Sequence, residues 1–387
     1  MLALRLARSS HPLVQLRRLF VAAAAGGTGF LLLSTVGHAA GHPTTAADSL
    51  VRLLWCAAPL AATAQLAVSV ARTDPAARLP RGMAAAGLGP VRLTLFAAST
   101  TAVSCVLGIV LALLVFLRLR GKLGGSAAGI GADLLGAGHP VPLIGALLLL
   151  SVVPLTAAAA TAVSLRPRRP RRQAVAAGPR AGTAAPSGLP WGIALTAAGL
   201  AIEAYAGRGV GAPGGLLSLP GRLIGSPPGV LAGWALSAFG LVLAGPGLVH
   251  VCGLLLCTGR PGALRLLSGR MLQEESHRVG RPLGVLCAVA SAVCAAVQVH
   301  QSSASRPFGP LTAIGTAVVL GCVTASALAA ALESRSARVH TMSALRRLGA
   351  SASVLHRAAA LRALALVLVL GPLTWAVAEL ATMPLLA

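Results

Sequence analysis

The stretch Thr94–Leu117, TLFAASTTAVSCVLGIVLALLVFL, runs for 24 residues without a charged side chain. At 1.5 Å per residue a helix of that length reaches about 36 Å. The hydrocarbon core of a bilayer is about 30 Å thick. Eight further stretches meet or approach the same length and composition: Leu19–His38, Leu53–Ala71, Val141–Leu165, Pro190–Ala206, Gly229–Cys257, Leu283–Val299, Leu311–Leu332 and Ala358–Leu380. Their repetition predicts an all-α, polytopic membrane protein with about nine spans. Within the sixth stretch, Gly245-Pro246-Gly247 predicts a kink or break.

The rest of the composition agrees. Of 387 residues, 56% are hydrophobic and only 10% charged, where a soluble domain carries about 25%. Eight acidic and 32 basic residues cannot furnish a polar surface for a soluble chain of this length. The net charge of +24 would suggest nucleic-acid binding in a soluble protein. Here aromatic residues are nearly absent from the basic stretches, so the stacking surfaces of single-strand binders are missing. Nucleic acid is therefore not expected as a partner. Membrane topology explains the charge instead.

With the N-terminus placed in the cytoplasm, the inside segments collect 24 of the 32 basic residues. The outside loops hold seven: Arg52, Arg118, Arg120, Lys122, Arg208, Arg222 and Arg306. The remaining one, Arg362, lies just inside the last span. This asymmetry follows the positive-inside rule. It predicts a multi-pass membrane protein with its N-terminus in the cytoplasm. The first span has the basic start of a signal peptide (Arg5, Arg8, Arg17, Arg18), but its apolar core exceeds the usual length of about 7–15 residues. A retained helix is expected. The last 30 residues are too short for two crossings, and Gly371-Pro372 offers a place for a re-entrant bend.

The segment Arg166–Pro190, RPRRPRRQAVAAGPRAGTAAPSGLP, is dominated by Pro, Gly, Ala and Arg and reads as an extended linker. It divides the chain into a first half, 1–165, a linker, 166–189, and a second half, 190–387. The halves carry a weak internal repeat. TDPAARLPRGMAAAGLGPVRLTLFAAST follows the second span, and ESRSARVHTMSALRRLGASASVLHRAAALRA follows the eighth. Both carry spaced arginines, reach an Ala-Gly or Leu-Gly step (Ala86-Gly87, Leu348-Gly349) and re-enter an apolar span. In the second copy Met342, Leu345, Leu348, Val354 and Leu355 form an apolar stripe, with Arg338, Arg346, Arg347 and Arg357 beside it. That pattern predicts a short amphipathic helix on the cytoplasmic face.

The run Ala344–Leu364, ALRRLGASASVLHRAAALRAL, resembles the signature of FtsX-like permeases, the membrane subunits of a class of ABC transporters. The weaker first copy, Met83–Leu93, includes Met83, Gly87 and Arg92. The segment GALRLLSGRMLQEESHRVGRP (262–282) is similar to the cytoplasmic stretch joining the halves in long, actinobacterial-type members. The resemblance implies that these cytoplasmic helices dock on a separate ABC ATPase subunit, through Met83, Gly87, Arg92, Leu345, Arg346, Arg347, Leu348, Gly349 and Leu355. It also implies coupling of that ATPase to movement of a hydrophobic or amphipathic substrate. The chain departs from the family in its short outer loops, Ala39–Leu50 and His300–Pro310, where members carry large extracellular domains. Two alternative functions stand beside it: a membrane structural or regulatory protein that does not transport, and a secondary transporter. The lipid bilayer is a partner in every case, and assembly into an oligomer is left open.

The chemistry of enzymes is missing from the sequence. Lys122, in RLRGKLGGS, is not preceded by a phosphate-binding GxxxxGK. No HExxH or GxSxG occurs. The seven cysteines lie in apolar stretches and form no CxxC pair, so no metal or cofactor is expected. The main intramembrane ionisable candidate is Glu203, in TAAGLAIEAYAG. It reads either as a proton or cationic-substrate site or as a residue snorkelling to the interface beside Tyr205 and Arg208. Glu379 carries the same two readings. Glu274 is expected to pair with Arg270 or Arg278, and His250 to be packed in its span. Asp74 before Pro75 fits a helix cap.

Overall fold

In the computed structural model, the residues described are 12–41, 46–73, 90–120, 142–165, 188–208, 228–259, 262–302, 310–337, 343 and 351–386. Among them the regular structure is entirely helical. The helices are α1 (Pro12–Gly41), α2 (Ala46–Trp55), α3 (Ala57–Thr73), α4 (Pro90–Leu119) and α5 (Leu143–Leu165). They continue with α6 (Gly188–Arg208), α7 (Pro228–Cys257), α8 (Ala263–Ser302), α9 (Pro310–Ala337) and α10 (Ala352–Leu386). Nine segments of the described residues are long and apolar enough to cross a membrane, the second combining the end of α2 with α3. The chain is a polytopic helical membrane protein.

Local chemistry accounts for the helix boundaries. Pro59 has no N–H to give the carbonyl of Trp55, and the break between α2 and α3 falls at Cys56, one turn ahead of it. Gly259 holds a left-handed φ of 81° just after α7, the conformation that ends helices and that only glycine adopts freely. Neither expected site breaks its helix. α7 continues through Gly245-Pro246-Gly247, and α10 continues through Gly371-Pro372 without a re-entrant bend. A third difference is larger. Residues 263–281, expected as a cytoplasmic stretch between two spans, are the first half of the 40-residue helix α8.

The chain forms two compact units. One comprises Met1–Arg169 with Phe308–Ser326; the other comprises Pro170–Pro307 with Ala327–Ala387. In the first unit α1 runs parallel to α4, with Gly26 against the Gly108 backbone and Gly29 beside Ile109 and Ala112. The first span is thus an integral part of this packing. Thr28 on α1 and Thr63 on α3 share a hydrogen bond of 2.8 Å between their hydroxyls. Phe30 meets Phe116 edge to face with ring centroids 6.4 Å apart, and the Arg120 guanidinium lies 5.5 Å from the Phe116 centroid.

In the second unit α6 and α7 are antiparallel and pack along a stripe of small residues. On α6 the stripe is Gly188, Gly192, Thr196, Gly199, Glu203 and Ala206. Their partners on α7 are Leu243, Ala244, Gly240, Ser237, Gly233 and Gly229. α7 and α8 form a second antiparallel pair, in which Gly245 meets Gly280 and Gly284, and Gly253 meets Gly269 and Gln273. α10 lies parallel to α8: Ser268 Oγ donates to the Ala358 carbonyl at 3.2 Å, and Gln298 Nε2 donates to Glu379 Oε1 at 2.8 Å. Parallel α8 and α10 are what alternating crossings require, since one crossing, α9, lies between them in the chain.

Candidate functional site

Two features of the second unit carry polar or charged groups in a defined arrangement. The first lies at the end formed by the C-terminus of α7 and the N-termini of α8 and α10. Residues 269–280 of α8 lie alongside residues 245–257 of α7. Between those contacts α8 exposes Arg270, Glu274, His277 and Arg278, while Ser268, Gly269, Leu272, Gln273, Ser276 and Gly280 are buried. A charged side chain at the centre of a bilayer costs about 2.5–3.5 kcal/mol on insertion scales. The apolar slab therefore cannot extend over this part of α8, nor over the part of α7 paired with it.

The apolar part of α8 begins after Arg281. The final ten residues of α7, about 15 Å long, and the first 19 of α8, about 28 Å long, form a packed body with the start of α10. Val249, Cys252, Leu256 and Leu272 form its core, with Leu283, Leu361, Ala365, Leu366 and Val369 against them. Arg362 is buried there: its Nε donates to the Ala358 carbonyl at 3.2 Å, and Nη1 lies 3.6 Å from Met271 Sδ. Gln273 Nε2 reaches Cys257 Sγ at 3.9 Å. Leu254 and Leu255 on α7 are exposed, as are Arg265, Leu266 and Arg270 on α8.

The second feature lies near the opposite end. Glu203 is fully buried between α6 and α7, at 0% exposure. A Cβ on Gly233 would lie 2.5 Å from the Glu203 Cγ, so the absence of a side chain there makes the room for it. Ser237 Oγ donates to Glu203 Oε1 at 3.1 Å. The other oxygen, Oε2, is buried without a hydrogen-bond partner, as is Trp234 Nε1. At a similar depth a polar triad joins α8 to α10: besides the Gln298–Glu379 bond, Thr382 Oγ1 donates to Gln298 Oε1 at 2.9 Å.

These placements correct several expectations. Glu203 does not snorkel; it occupies a position of the small-residue stripe and faces α7 rather than the interface. Its neighbour Tyr205 is 84% exposed on the other face. The 4-4-3-4-3 spacing of Gly188, Gly192, Thr196, Gly199, Glu203 and Ala206 is the signal by which sequence alone identifies this packing face. Ser237 and the partners of Glu379 carry no comparable signal. The three side chains of Arg270, Glu274 and Arg278 are exposed, and no ion pair joins Glu274 to either arginine. His250 is buried in α7, as expected of a packed residue.

Of the residues expected to dock an ATPase, Leu355 is buried in the first turns of α10, and Arg92 lies in α4. Residues 352–356 thus open a long helix rather than belonging to a separate short one. Met83, Gly87, Leu345, Arg346, Arg347, Leu348 and Gly349 lie outside the described residues, as do Asp74 and residues 166–187 of the linker. Among the described residues no group of three or more His, Cys, Asp or Glu side chains is arranged to hold a metal ion. No protein-family model matches the chain, and no characterised protein and no solved structure shows significant similarity to it.

Proposed function

We propose that the chain is the permease subunit of an ABC-type transporter of the FtsX-like kind. It has no enzyme activity of its own and is driven by a separate ATPase. The observation that supports this reading best is the projecting end of the second unit. Helices that stop at the bilayer surface offer a soluble motor nothing to grip. Here α7, α8 and α10 leave the slab together, joined by buried side chains and close glycine contacts. A displacement applied to the projection is carried into three spans at once, because packed interiors transmit strain rather than absorb it. The basic asymmetry puts this end in the cytoplasm, where ATP is available. This end exposes both leucines (Leu254, Leu255, Leu266) and arginines (Arg265, Arg270), the apolar and charged groups that suit a protein partner. Spans faced with alanine and leucine suit a hydrophobic or amphipathic substrate.

The test is to isolate the full chain from its native membranes in mild detergent and to assay ATP hydrolysis of the purified complex. The wild type should carry an ATP-hydrolysing subunit, and Leu255→Asp with Arg270→Glu should lose it while remaining inserted. A wild type purified without ATPase activity, or a double variant that retains it in full, would overturn the assignment.

A further inference from the structure

Counting protons at the α6–α7 interface leads to a second role for this unit. Ser237 has one hydroxyl hydrogen and three acceptors within reach. These are Glu203 Oε1 at 3.1 Å, the Gly233 carbonyl at 3.0 Å and the Trp234 carbonyl at 3.2 Å. If Glu203 is ionised, Ser237 must spend its hydrogen on the carboxylate, and Oε2 remains buried with no donor at all. If Glu203 carries a proton, the carboxyl O–H donates to Ser237 Oγ, and Ser237 donates to a backbone carbonyl of its own helix. Oε2 lacks a donor in either form, but only the ionised form leaves a buried negative charge held by a single hydrogen bond, and burying a charge costs far more than burying a neutral carbonyl.

Among the described residues, no positively charged side chain forms an ion pair with Glu203. From Gly229 to Gly240 α7 has no titratable residue. Beyond Arg362, the only titratable residue on α10, the other helix packed on α6, is Glu379, which accepts a hydrogen bond from Gln298. On α6 itself the others are Tyr205, which is exposed, and Arg208, the last residue of the helix. The fit is also too close to admit water without movement. A Cβ at Gly233 would stand 2.7 Å from the Gly199 carbonyl, and one at Gly199 would stand 2.5 Å from the Ser237 nitrogen.

We propose that Glu203 is a proton-binding site: the bound proton closes the α6–α7 interface, and its release to water opens it. The bond involved is the carboxyl O–H, formed on protonation and broken on release, with the proton exchanged with the aqueous phase. Binding a proton at a buried helix–helix contact gives this unit a two-state element that a proton gradient can drive. The inference does not depend on the ATPase reading and stands or falls separately from it.

The test uses the full chain in lipid nanodiscs with Trp234 as the sole tryptophan, after Trp55→Phe, Trp191→Phe and Trp375→Phe. These three side chains are exposed. Acrylamide quenching of Trp234 is followed across pH. As pH rises, quenching should increase by about twofold or more in a one-proton transition, as a buried contact opens to solvent. Glu203→Gln cannot release a proton and should remain at the low-pH value throughout, whereas Glu379→Gln should titrate like the parent. A flat profile in the parent would overturn the proposal. So would the same transition in Glu203→Gln, or a transition abolished by Glu379→Gln alone.

Discussion

The two units are built from the same Ala, Leu, Gly and Val, yet they hold together differently. In the unit containing α6, α7 and α8, helices meet backbone to backbone along two glycine-rich seams. In the unit containing α1, α3 and α4, one such crossing, Gly26 with Gly108, is supplemented by side chains. Thr28 bonds Thr63, Phe30 packs on Phe116, and Leu150 fills the space beside Gly29. In lipid there is no hydrophobic force to drive helices together, so close van der Waals contact and interhelical hydrogen bonds must do it. The difference teaches that small-residue content matters less than spacing. Small residues recurring at 4-4-3 intervals, as at Gly188, Gly192, Thr196 and Gly199, make a continuous seam; glycines in a cluster, as at Gly26, Gly27 and Gly29, make a single crossing.

The comparison can be broken at several strengths. The largest effect concerns depth. If α7 leaves the slab near Gly247, a cysteine placed at Leu255 in a cysteine-free chain should react fully with a membrane-impermeant maleimide added to inside-out vesicles. One at Phe239 should not react at all. Protection at both positions would place the end of α7 in lipid.

The seams come next. Gly192→Ala puts a methyl 2.5 Å from the Ala244 backbone nitrogen, and backbone cannot rotate away. A loss of about 3 kcal/mol is expected, at the upper end of overpacking costs, read by SDS-driven unfolding in mixed micelles. Gly29→Ala in the other unit meets the end of a leucine side chain at 3.3 Å and should cost well under about 1 kcal/mol in the same assay, because Leu150 can rotate. Equal losses at the two sites would dissolve the distinction between seam and crossing.

Smaller still is Thr28→Val, which deletes the bond to Thr63 without changing shape. Interhelical hydrogen bonds in membranes average about 0.6 kcal/mol, and a loss of that size is expected. The smallest effect has the opposite sign. A Cβ at Gly371 would meet nothing within 4 Å, and α10 is helical there. Gly371→Ala should stabilise by about 0.5–1 kcal/mol through the entropy of the unfolded chain. Destabilisation would mean that Gly371 touches a neighbour in the membrane.

Much of the architecture is legible without coordinates. Each apolar stretch reports its own helix, because a span must satisfy its backbone internally and cannot be anything else in lipid. Thr94–Leu117 identifies α4 in this way, and the parallel course of α8 and α10 agrees with the count of crossings. The candidate site was legible only in part. Glu203 stands out as a carboxyl in an apolar stretch, but whether it points to lipid, water or a neighbour depends on the facing helix. The stripe spacing narrows that choice; Gly233 and Ser237, some 30 residues further along, settle it.

The sequence by itself determined the helical class, the nine apolar segments and the absence of enzyme motifs, since hydropathy and local backbone chemistry act within one segment at a time. Tertiary structure alone decided three things: which part of α7 the charged half of α8 packs against, how Glu203 is buried, and how Gln298, Glu379 and Thr382 combine. Each depends on register between helices, and register is fixed by where small residues on one helix meet backbone on another. The charged half of α8 lies along the end of α7 only because Gly253 packs on Gly269 and Gly245 on Gly280. A hydropathy reading of α7 alone, apolar to its last residue, cannot contain that information.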